Sequence, residues 1–185
     1  MSHYFIGIKV HSELSEKLMN WQSILRETMN YKDWTAKEDL HITLKFLGSC
    51  SDDRIERYIQ LLKNESWPYE FSLTVGPAGG FGDQKRPRVF HAQVQRASSL
   101  LGMKEKVDGI GEELGFQKEK RKFHPHITLA KKQPEGGSPL IEVSEGSILL
   151  ETYEMVVNEF SIFRIHPGSH PKYETVATIK GGQKI

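Results

Sequence analysis

The sequence predicts an α+β fold built from two related halves, each with a small, mostly antiparallel sheet and helices packed on one face. The tetrapeptide His-Ile-Thr-Leu occurs twice, at His41–Leu44 and at His126–Leu129, which are 85 positions apart. When the chain is shifted by that interval, strand-like and helix-like segments also align without a gap. Each half therefore consists of a strand, a helix, a connection and a strand that carries the tetrapeptide.

The first elements of the two halves have the composition and spacing that their predicted structures require. Strands are predicted at Tyr4–Val10 and Arg88–Val94, which are rich in β-branched and aromatic residues. Helices are predicted after them, with candidate starts at Ser12 and at residues 98–99. Their apolar residues recur at helical spacing: Leu14, Leu18, Trp21, Leu25 and Met29 in the first, and Leu100, Met103, Val107, Ile110 and Leu114 in the second.

The remaining elements follow from the same patterns. A further helix is predicted at Asp52–Asn64, and further strands at Tyr69–Val75, Tyr153–Arg164 and Tyr173–Ile179. Segments rich in glycine and proline predict loops at Gly76–Gly82, Pro134–Pro139 and Pro167–Pro171. We expect residues 1–185 to form one domain with two lobes, in which a pseudo-two-fold axis brings His41 beside His126.

Composition narrows the class of protein. Apolar residues make up 37% and charged residues 26%, and the formal charge is +1, so binding of nucleic acid by bulk charge is not expected. Cys50 is the only cysteine, which rules out an intramolecular disulfide and favours a reducing compartment. The opening MSHYFIGIKV lacks the features of a signal peptide or membrane span. The expectation is a cytoplasmic protein that needs no membrane and no obligate protein partner, and that folds as a monomer.

The repeated motif suggests chemistry at phosphorus. Residues two apart on a strand point to the same face, so His41 projects with Thr43, and His126 with Thr128. Across a cleft, one imidazole could take a proton from an attacking oxygen while the other gives a proton to a leaving oxygen. The hydroxyls could donate hydrogen bonds to phosphate oxygens. One such motif alone would most often be an ordinary strand, but two copies in register favour catalysis or ligand binding, without a metal or cofactor.

The residues around the two motifs resemble a known family. HITLKFLG at His41–Gly48 and FHPHITLA at Phe123–Ala130 resemble the paired signatures of the 2H phosphoesterase superfamily. They are most similar to the bacterial RNA 2′,3′-cyclic phosphodiesterases, also called LigT-like proteins or 2′-5′ RNA ligases. The resemblance implies a bilobal fold with its active site between the lobes. It also implies metal-independent hydrolysis of an RNA 2′,3′-cyclic phosphate to a 2′-phosphate, and joining of RNA ends by the chemical reverse.

By the same resemblance, each motif residue has an expected role. His41 would be the proton donor to the leaving 3′ oxygen, and His126 the proton acceptor that activates water. Thr43 and Thr128 would bind the phosphate. Two alternatives stay open: a substrate that is a small cyclic nucleotide or an ADP-ribose cyclic phosphate rather than an RNA 3′ end, and a non-catalytic nucleotide-binding module.

Three further residues are candidate substrate contacts. Lys131 lies where the family often has an arginine, and lysine cannot grip a phosphate with two parallel hydrogen bonds. Arg88, together with the charged run Lys118–Lys122, could guide an RNA backbone, although such a run is more often a solvated loop. Phe46 should face the core if its strand is regular, whereas the resemblance allows it to stack on a base.

The other histidines are given structural interpretations. His124, two residues before His126, could suggest a metal chelate, but no cysteine or carboxylate lies close in sequence, so we expect it to pack behind the site or to hydrogen-bond the loop. The rest have no partner pattern and are expected on the surface or as satisfied core positions: His3, His11, His91, His166 and His170.

Overall fold

The computed structural model describes residues 1–83, 86–133 and 145–182. The strands are β1 (Ser2–Lys9), β2 (Asp33–Trp34), β3 (His41–Cys50), β4 (Phe71–Gly82), β5 (Pro87–Val94), β6 (His126–Lys131), β7 (Tyr153–Val157), β8 (Glu159–Ile165) and β9 (Tyr173–Lys180). The helices are α1 (Ser12–Thr28), α2 (Asp52–Asn64) and α3 (Ser98–Glu113), with short 3-10 turns at Lys37–Asp39 and Ile148–Leu150. The loop predicted at Pro134–Pro139 lies outside the described residues.

The described strands form one antiparallel sheet. Its order is β7-β4-β5-β6-β3-β1-β8-β9, with β2 paired to β6. The two lobes meet at its centre, where Ile42 on β3 lies opposite Ile127 on β6. The predicted α+β fold with two related lobes is therefore confirmed, and this central pair joins their two small sheets edge to edge. That the domain extends over residues 1–185 stays a prediction.

The helices pack on the sheet through the predicted apolar stripes. Every member of the first stripe is at most 5% exposed, and Leu100, Met103, Val107 and Ile110 of the second are at most 7% exposed. The helices α1 and α3 each pack against the lobe opposite to that of the strand before it. Gln22 of α1 donates a hydrogen bond to the Leu129 carbonyl on β6, while Asp108 of α3 forms an ion pair with Lys45 on β3. None of the described helices is long and apolar enough to cross a membrane.

Both copies of the tetrapeptide end in a β-bulge. On β3, Thr43 lies opposite Gly7 and Lys45 opposite Ile6, so Leu44 is an extra residue. The arrangement on β6 is the same: Thr128 and Ala130 face consecutive residues of β5, so Leu129 is the extra residue. Each bulge reverses the alternation of side chains beyond the motif. The repeated leucine therefore determines which of the following side chains face the cleft.

The bulge on β3 changes where two side chains point. Lys45 is 4% exposed whereas Phe46 is 61% exposed, the opposite of what regular alternation would give. Phe46 therefore faces the cleft rather than the core. Lys45 is buried in an ion-pair cluster with Asp108 and Lys104. The Nζ atom of Lys45 lies 3.0 Å from the Asp108 carboxylate, and that of Lys104 lies 2.7 Å from it.

Two of the element predictions were wrong. The glycine-rich segment Gly76–Gly82 is not a loop, because β4 continues through it and pairs with β5. A Cβ at Gly80 would lie 2.3 Å from the Pro87 side chain, so glycine here permits close strand packing rather than a turn. The predicted strand Tyr153–Arg164 is two strands: β7 is one edge of the sheet, and β8 lies next to the edge strand on the other side.

Candidate active site

The central strand pair brings the two motifs together. Because Ile42 and Ile127 are paired and buried, their sequence neighbours project from the other face of the sheet. Antiparallel register then sets His41 beside Thr128, and Thr43 beside His126. Both histidines and both threonines are half-buried. One small volume thus contains two imidazoles and two hydroxyls, arranged with approximate two-fold symmetry.

Both imidazoles are fixed by the same local hydrogen bond. The Nδ1 atom of His41 lies 2.7 Å from the carbonyl oxygen of Asp39, and that of His126 lies 2.7 Å from the carbonyl oxygen of His124. A carbonyl can only accept, so Nδ1–H donates in both rings. Each neutral ring is therefore left with a basic Nε2. In His41 this atom lies 3.0 Å from the Thr43 hydroxyl.

Aromatic side chains surround the His41 ring. Its centroid lies 4.6 Å from that of Phe5 and 5.1 Å, edge-on, from that of Tyr173. Burial among these groups lowers the pKa of His41 to about 4, because the charged imidazolium loses its hydration. The nearby Asp39 opposes this shift only in part. In the protein without substrate, His41 is therefore a neutral ring at pH 7.

The His126 ring lies against a different pair of rings. Its centroid is 4.8 Å from that of Phe81, edge-on, and 5.1 Å from that of His91. Burial also lowers the pKa of His126 below its usual range. Both imidazoles thus start neutral, and an anion bound beside one of them would raise the pKa of that ring.

The cleft has two chambers that meet at Thr43 and Phe46. The chamber on the His41 side has a volume of about 450 Å³ and is also lined by Lys131. The chamber on the His126 side has a volume of about 610 Å³ and is also lined by Arg88. The three candidate substrate contacts of the sequence analysis, namely Phe46, Lys131 and Arg88, therefore all line the cleft, and Phe46 lies at the junction of the two chambers.

Lys131 and Phe46 reach the cleft for the same reason. They are 85 positions apart and each follows the bulged leucine of its strand by two residues. The Nζ atom of Lys131 lies 4.0 Å from the carboxylate of Asp33, and 42% of its side chain is exposed. The lysine therefore keeps one side open to a ligand.

Sequence reasoning missed Asp39. Its carbonyl oxygen accepts the hydrogen bond from His41, and its buried carboxylate accepts hydrogen bonds from the backbone N–H groups of Lys172 and Tyr173 at 2.9–3.2 Å. Asp39 thus positions His41 and ties the segment before β9 to the same point. Asp39 and His124 are themselves 85 positions apart, so the repeat places an equivalent carbonyl before each motif histidine.

His91 was also missed, because it was expected on the surface or as a satisfied core position. It lies on β5 opposite Thr128 and is 6% exposed, and its Nδ1 has no hydrogen-bond partner among the described residues. Burial lowers its pKa to about 4, and a charge on His126 would lower it further. The alternation of buried Phe90, Ala92 and Val94 could have placed it on the cleft face.

His124 is not packed behind the site as expected. Its side chain is exposed and lines the chamber on the His126 side, while its carbonyl oxygen holds His126. Across residues 1–83, 86–133 and 145–182, no three His, Cys, Asp or Glu side chains are grouped so as to hold a metal ion.

Comparisons with known proteins find relatives that match most of the chain. Residues 8–91 match the family model described as LigT like Phosphoesterase. An RNA 2′,3′-cyclic phosphodiesterase of Bacillus subtilis is 32% identical over 180 residues, covering 94% of this chain and 93% of that protein. A protein of the same name from Thermotoga maritima is 30% identical, covering 86% of this chain and 84% of its own.

A solved structure shares the fold. The crystal structure of E. coli LigT complexed with 3′-AMP superposes with a TM-score of 0.78 at 22% identity, covering 98% of this chain and 99% of that one. At that identity the likeness shows the fold alone, whereas the full-length match to the Bacillus protein shows the family. The predicted resemblance is confirmed: the chain belongs to the LigT-like phosphoesterase family, within the 2H phosphoesterase superfamily.

Proposed function

We propose that this protein hydrolyses the 2′,3′-cyclic phosphate at an RNA 3′ end to a 2′-phosphate, by acid–base catalysis with His41 and His126 and without a metal. The observation that carries this proposal is the matched pair of imidazoles, each with Nδ1–H bonded to the carbonyl two residues earlier and Nε2 left for chemistry. The names of the Bacillus and Thermotoga relatives support the class of substrate.

The reaction needs one proton taken and one given. Nε2 of His126 accepts a proton from water, and the water oxygen forms a bond to phosphorus opposite the 3′ oxygen. The bond from phosphorus to the 3′ oxygen breaks, and that oxygen takes the proton from Nε2 of His41. The Thr43 and Thr128 hydroxyls donate hydrogen bonds to the non-bridging oxygens. Solvent then removes the proton from His126 and restores the one on His41.

The low pKa of His41 does not conflict with its role as the acid. The His41 ring is neutral in the free protein. Once substrate is bound, the ring faces a negatively charged phosphate. An anion within a few ångströms in a buried site favours the imidazolium, so substrate binding and protonation of His41 are coupled. This coupling makes the acid available when the leaving oxygen is in place.

The proposal is tested with a short RNA that ends in a 2′,3′-cyclic phosphate, incubated with the protein in EDTA. The expected product is a 2′-phosphate, and its formation should fall at least a hundredfold in His41→Ala and in His126→Ala. His11→Ala is the matched control, because His11 bonds the Val156 carbonyl and lines neither chamber. Unchanged hydrolysis in both active-site variants would refute the paired-histidine mechanism.

The second chamber favours one additional activity, the joining of RNA ends. A water nucleophile needs little room, yet the chamber beside His126 holds about 610 Å³ and is lined by Phe81, Phe123 and Arg121. A ribose 5′-hydroxyl bound there would replace water and give a 2′-5′ linkage. Adding a second RNA with a free 5′-hydroxyl should produce a longer product whose new linkage resists a nuclease specific for 3′-5′ bonds; if only hydrolysis is seen, ligation is ruled out under those conditions.

The remaining alternatives share the site and differ in what it binds. Turnover of a mononucleotide cyclic phosphate but not of an oligonucleotide would favour a small-molecule substrate, and binding without turnover would favour a nucleotide-binding module. A monomeric state and a cytoplasmic location stay predictions. Sedimentation of the purified protein tests the first, and cell fractionation the second.

A further inference from the structure

A further recess opens beside the His126 chamber, over strands β4 and β5. It has a volume of about 460 Å³. Phe81 and His124 line both the recess and the chamber, so the two spaces are adjacent. The other walls come from β4, from β5 and from the segment after β5, and include Gly79, His91, Gln93 and Arg96.

Gly79 keeps this recess open. It lies opposite His91 in the ladder that joins β4 to β5. A Cβ at this position would lie 3.1 Å from Cε1 of His91 and 3.1 Å from Cγ of Gln93. A side chain on residue 79 would therefore cover both of these polar residues, whereas glycine leaves them on the wall of the recess.

Two polar side chains of the recess have hydrogen-bonding groups to spare. The side chain of Gln93 makes one hydrogen bond to the described residues, from Nε2 to the Ala78 carbonyl at 3.4 Å, and this leaves its amide oxygen for a ligand. The Arg96 guanidinium uses Nη1 for the Phe123 carbonyl, at 2.6 Å, and has further N–H groups. Both side chains are exposed, so a ligand in the recess can reach them.

The walls suit a flat, neutral, aromatic ligand. The rings of Phe81 and His91, with centroids 4.5 Å apart, form an aromatic surface. Arg96 is the only Lys or Arg among the described residues that line the recess, and no carboxylate or thiol lines it, so the lining resembles neither a cluster of cations for phosphate nor a common metal site. A nucleobase stacks on aromatic rings through its face and hydrogen-bonds amide and guanidinium groups through its edge.

The order of the strands indicates which nucleotide would supply this base. His41 lies on β3 and His126 on β6, and β5 and then β4 follow on the far side of β6. In the ladder between β5 and β6, Gln93 lies opposite His126. The proposed displacement has the leaving oxygen at His41 and the attacking oxygen at His126. The group that carries the attacking oxygen is therefore the one on the side of the recess.

We propose that this recess binds the base of an incoming nucleotide whose 5′-hydroxyl replaces water in the reaction. The inference rests on the proposed function, because it takes the direction of attack from it. The hydroxyl gives its proton to Nε2 of His126 and its oxygen bonds to phosphorus, while the bond to the 3′ oxygen breaks and that oxygen takes the proton of His41. Glutamine and arginine both pair with the N7 edge of purines, so a purine should bind more tightly than a pyrimidine.

Binding without catalysis is the first test. The full chain is titrated with adenosine, with uridine and with methyl ribofuranoside, which has no base, while NMR follows the ring signals of His91, identified by their loss in His91→Phe. Stacking of a base predicts that adenosine binds roughly 5- to 150-fold more tightly than the methyl riboside, with uridine between them. Adenosine that leaves the His91 signals unshifted, or binds no more tightly than the methyl riboside, would overturn the base site.

A matched pair of variants assigns the binding to the recess. Gln93→Leu removes the amide from an exposed position and should weaken the adenosine titration of the His91 signals several-fold. Gln60→Leu makes the same change on the exposed surface of α2, outside the recess, and should leave that titration unchanged. Equal titrations in the two variants would mean that adenosine does not bind where the geometry places it.

A partition experiment tests the assignment to the incoming strand. An RNA that ends in a 2′,3′-cyclic phosphate is mixed with an excess of a short RNA whose first nucleotide has a free 5′-hydroxyl, and the ratio of joined to hydrolysed product is measured. Removing the base of that first nucleotide should lower the ratio roughly 5- to 150-fold. Equal ratios with the intact and the abasic strand, or hydrolysis alone at saturating concentrations of the intact strand, would overturn the assignment.

The outcomes also separate this inference from the proposed function. Hydrolysis of the cyclic phosphate by a protein that binds no adenosine at His91 would overturn the base site and leave the hydrolytic function intact. Adenosine binding that is weakened in Gln93→Leu, in a protein that turns over no cyclic phosphate, would support the base site and refute the proposed function.

Discussion

Leu44 and Leu129 occupy the same position in the two related central strands, and each is the bulged residue that follows a His-x-Thr motif. Because of these bulges, the residue two positions later turns from the core to the cleft in both strands. The cleft therefore gains an aromatic ring from one lobe, Phe46, and a cation from the other, Lys131. One duplicated backbone irregularity thus shapes both halves of the candidate site.

Phe46→Ala should weaken substrate binding with little effect on stability. The ring is 61% exposed at the junction of the two chambers, so its loss removes little buried area. Stacking of a base on an aromatic side chain is worth about 1–3 kcal/mol, which predicts a rise in KM of roughly 5- to 150-fold. Steady-state kinetics on the short RNA and urea unfolding measure the two effects.

Tyr69→Ala is the control for Phe46→Ala, because Tyr69 is 73% exposed and lines neither chamber. It should leave KM unchanged. If instead Phe46→Ala lowered the free energy of unfolding by several kcal/mol and left KM alone, Phe46 would be a core residue and the role assigned to the bulge would be wrong.

The pH dependence of kcat/KM should be bell-shaped with its maximum below pH 6.5. The proposed reaction needs neutral His126, so the rate falls as pH drops through its lowered pKa. It also needs protonated His41, so the rate falls as pH rises through about 4 in the free protein. The two rings interact, so the limbs report the pair rather than one residue each.

The profile of kcat should lie at higher pH than that of kcat/KM. Bound phosphate raises the pKa of both imidazoles, and kcat reports the groups of the complex. The two profiles are measured between pH 4 and pH 9 on one substrate. A kcat/KM that is flat from pH 5 to pH 8, or a kcat optimum on the acid side of the kcat/KM optimum, is incompatible with the paired-histidine account.

His91→Phe should reduce the loss of stability in mild acid. An unfolded histidine binds a proton below its usual pKa of 6.5, whereas folded His91 does so only near pH 4. The free energy of unfolding therefore falls as pH drops from 6.5 to 4, by on the order of 2 kcal/mol at pH 5 from this residue. Phenylalanine keeps a ring of similar shape and cannot take the proton.

Urea unfolding at pH 7.5 and pH 5 measures this effect. The difference in unfolding free energy between the two conditions should be smaller in His91→Phe than in the wild-type protein. His170→Phe, which removes an exposed ring, should retain the wild-type difference. An unchanged difference in His91→Phe would mean that His91 is not held neutral by burial.

Asp108→Asn should strongly destabilise the fold. The carboxylate lies 3.0 Å from Lys45 and 2.7 Å from Lys104, and all three side chains are at most 9% exposed. Removing the shared anion leaves two buried ammonium groups uncompensated, which costs about 3–5 kcal/mol. Glu16→Gln is the matched control, because its partner Lys37 is a surface residue and such a pair contributes under about 1 kcal/mol. Equal effects of the two substitutions on urea unfolding would contradict the buried cluster.

Local sequence patterns predicted the helices and the pairing of the two motifs, because both depend on residue spacing along the chain. The apolar stripes of α1 and α3 were visible because helical spacing repeats every three to four residues, and the duplication aligned His41 with His126. The orientation of Phe46 could not be predicted, because it depends on the bulge at Leu44, which is set by the pairing of β3 with β1. The glycines of β4 suggested a loop, whereas they are needed because side chains of the neighbouring strand β5 leave no room for a Cβ.

The parts of the cleft that could not be predicted from the sequence are formed by contacts between distant segments. Lys172 approaches Asp33 across 139 positions, and Asp39 holds the segment before β9 across a similar interval. His91 lies beside His126 only because β5 and β6 pair. No local pattern encodes such contacts, whereas the repeat encoded the motif residues twice.

The roles of His41 and His126 are tested most directly by replacing the leaving 3′ oxygen of the cyclic phosphate with sulfur. A thiolate leaves without being protonated, so the acid becomes dispensable while the base does not. Single-turnover rates of His41→Ala and His126→Ala would be compared on the oxygen and sulfur substrates. We predict that the defect of His41→Ala shrinks to less than about tenfold on the sulfur substrate, while that of His126→Ala persists. Rescue of His126→Ala instead, or equal defects on both substrates, would contradict the assignment of His41 as the acid.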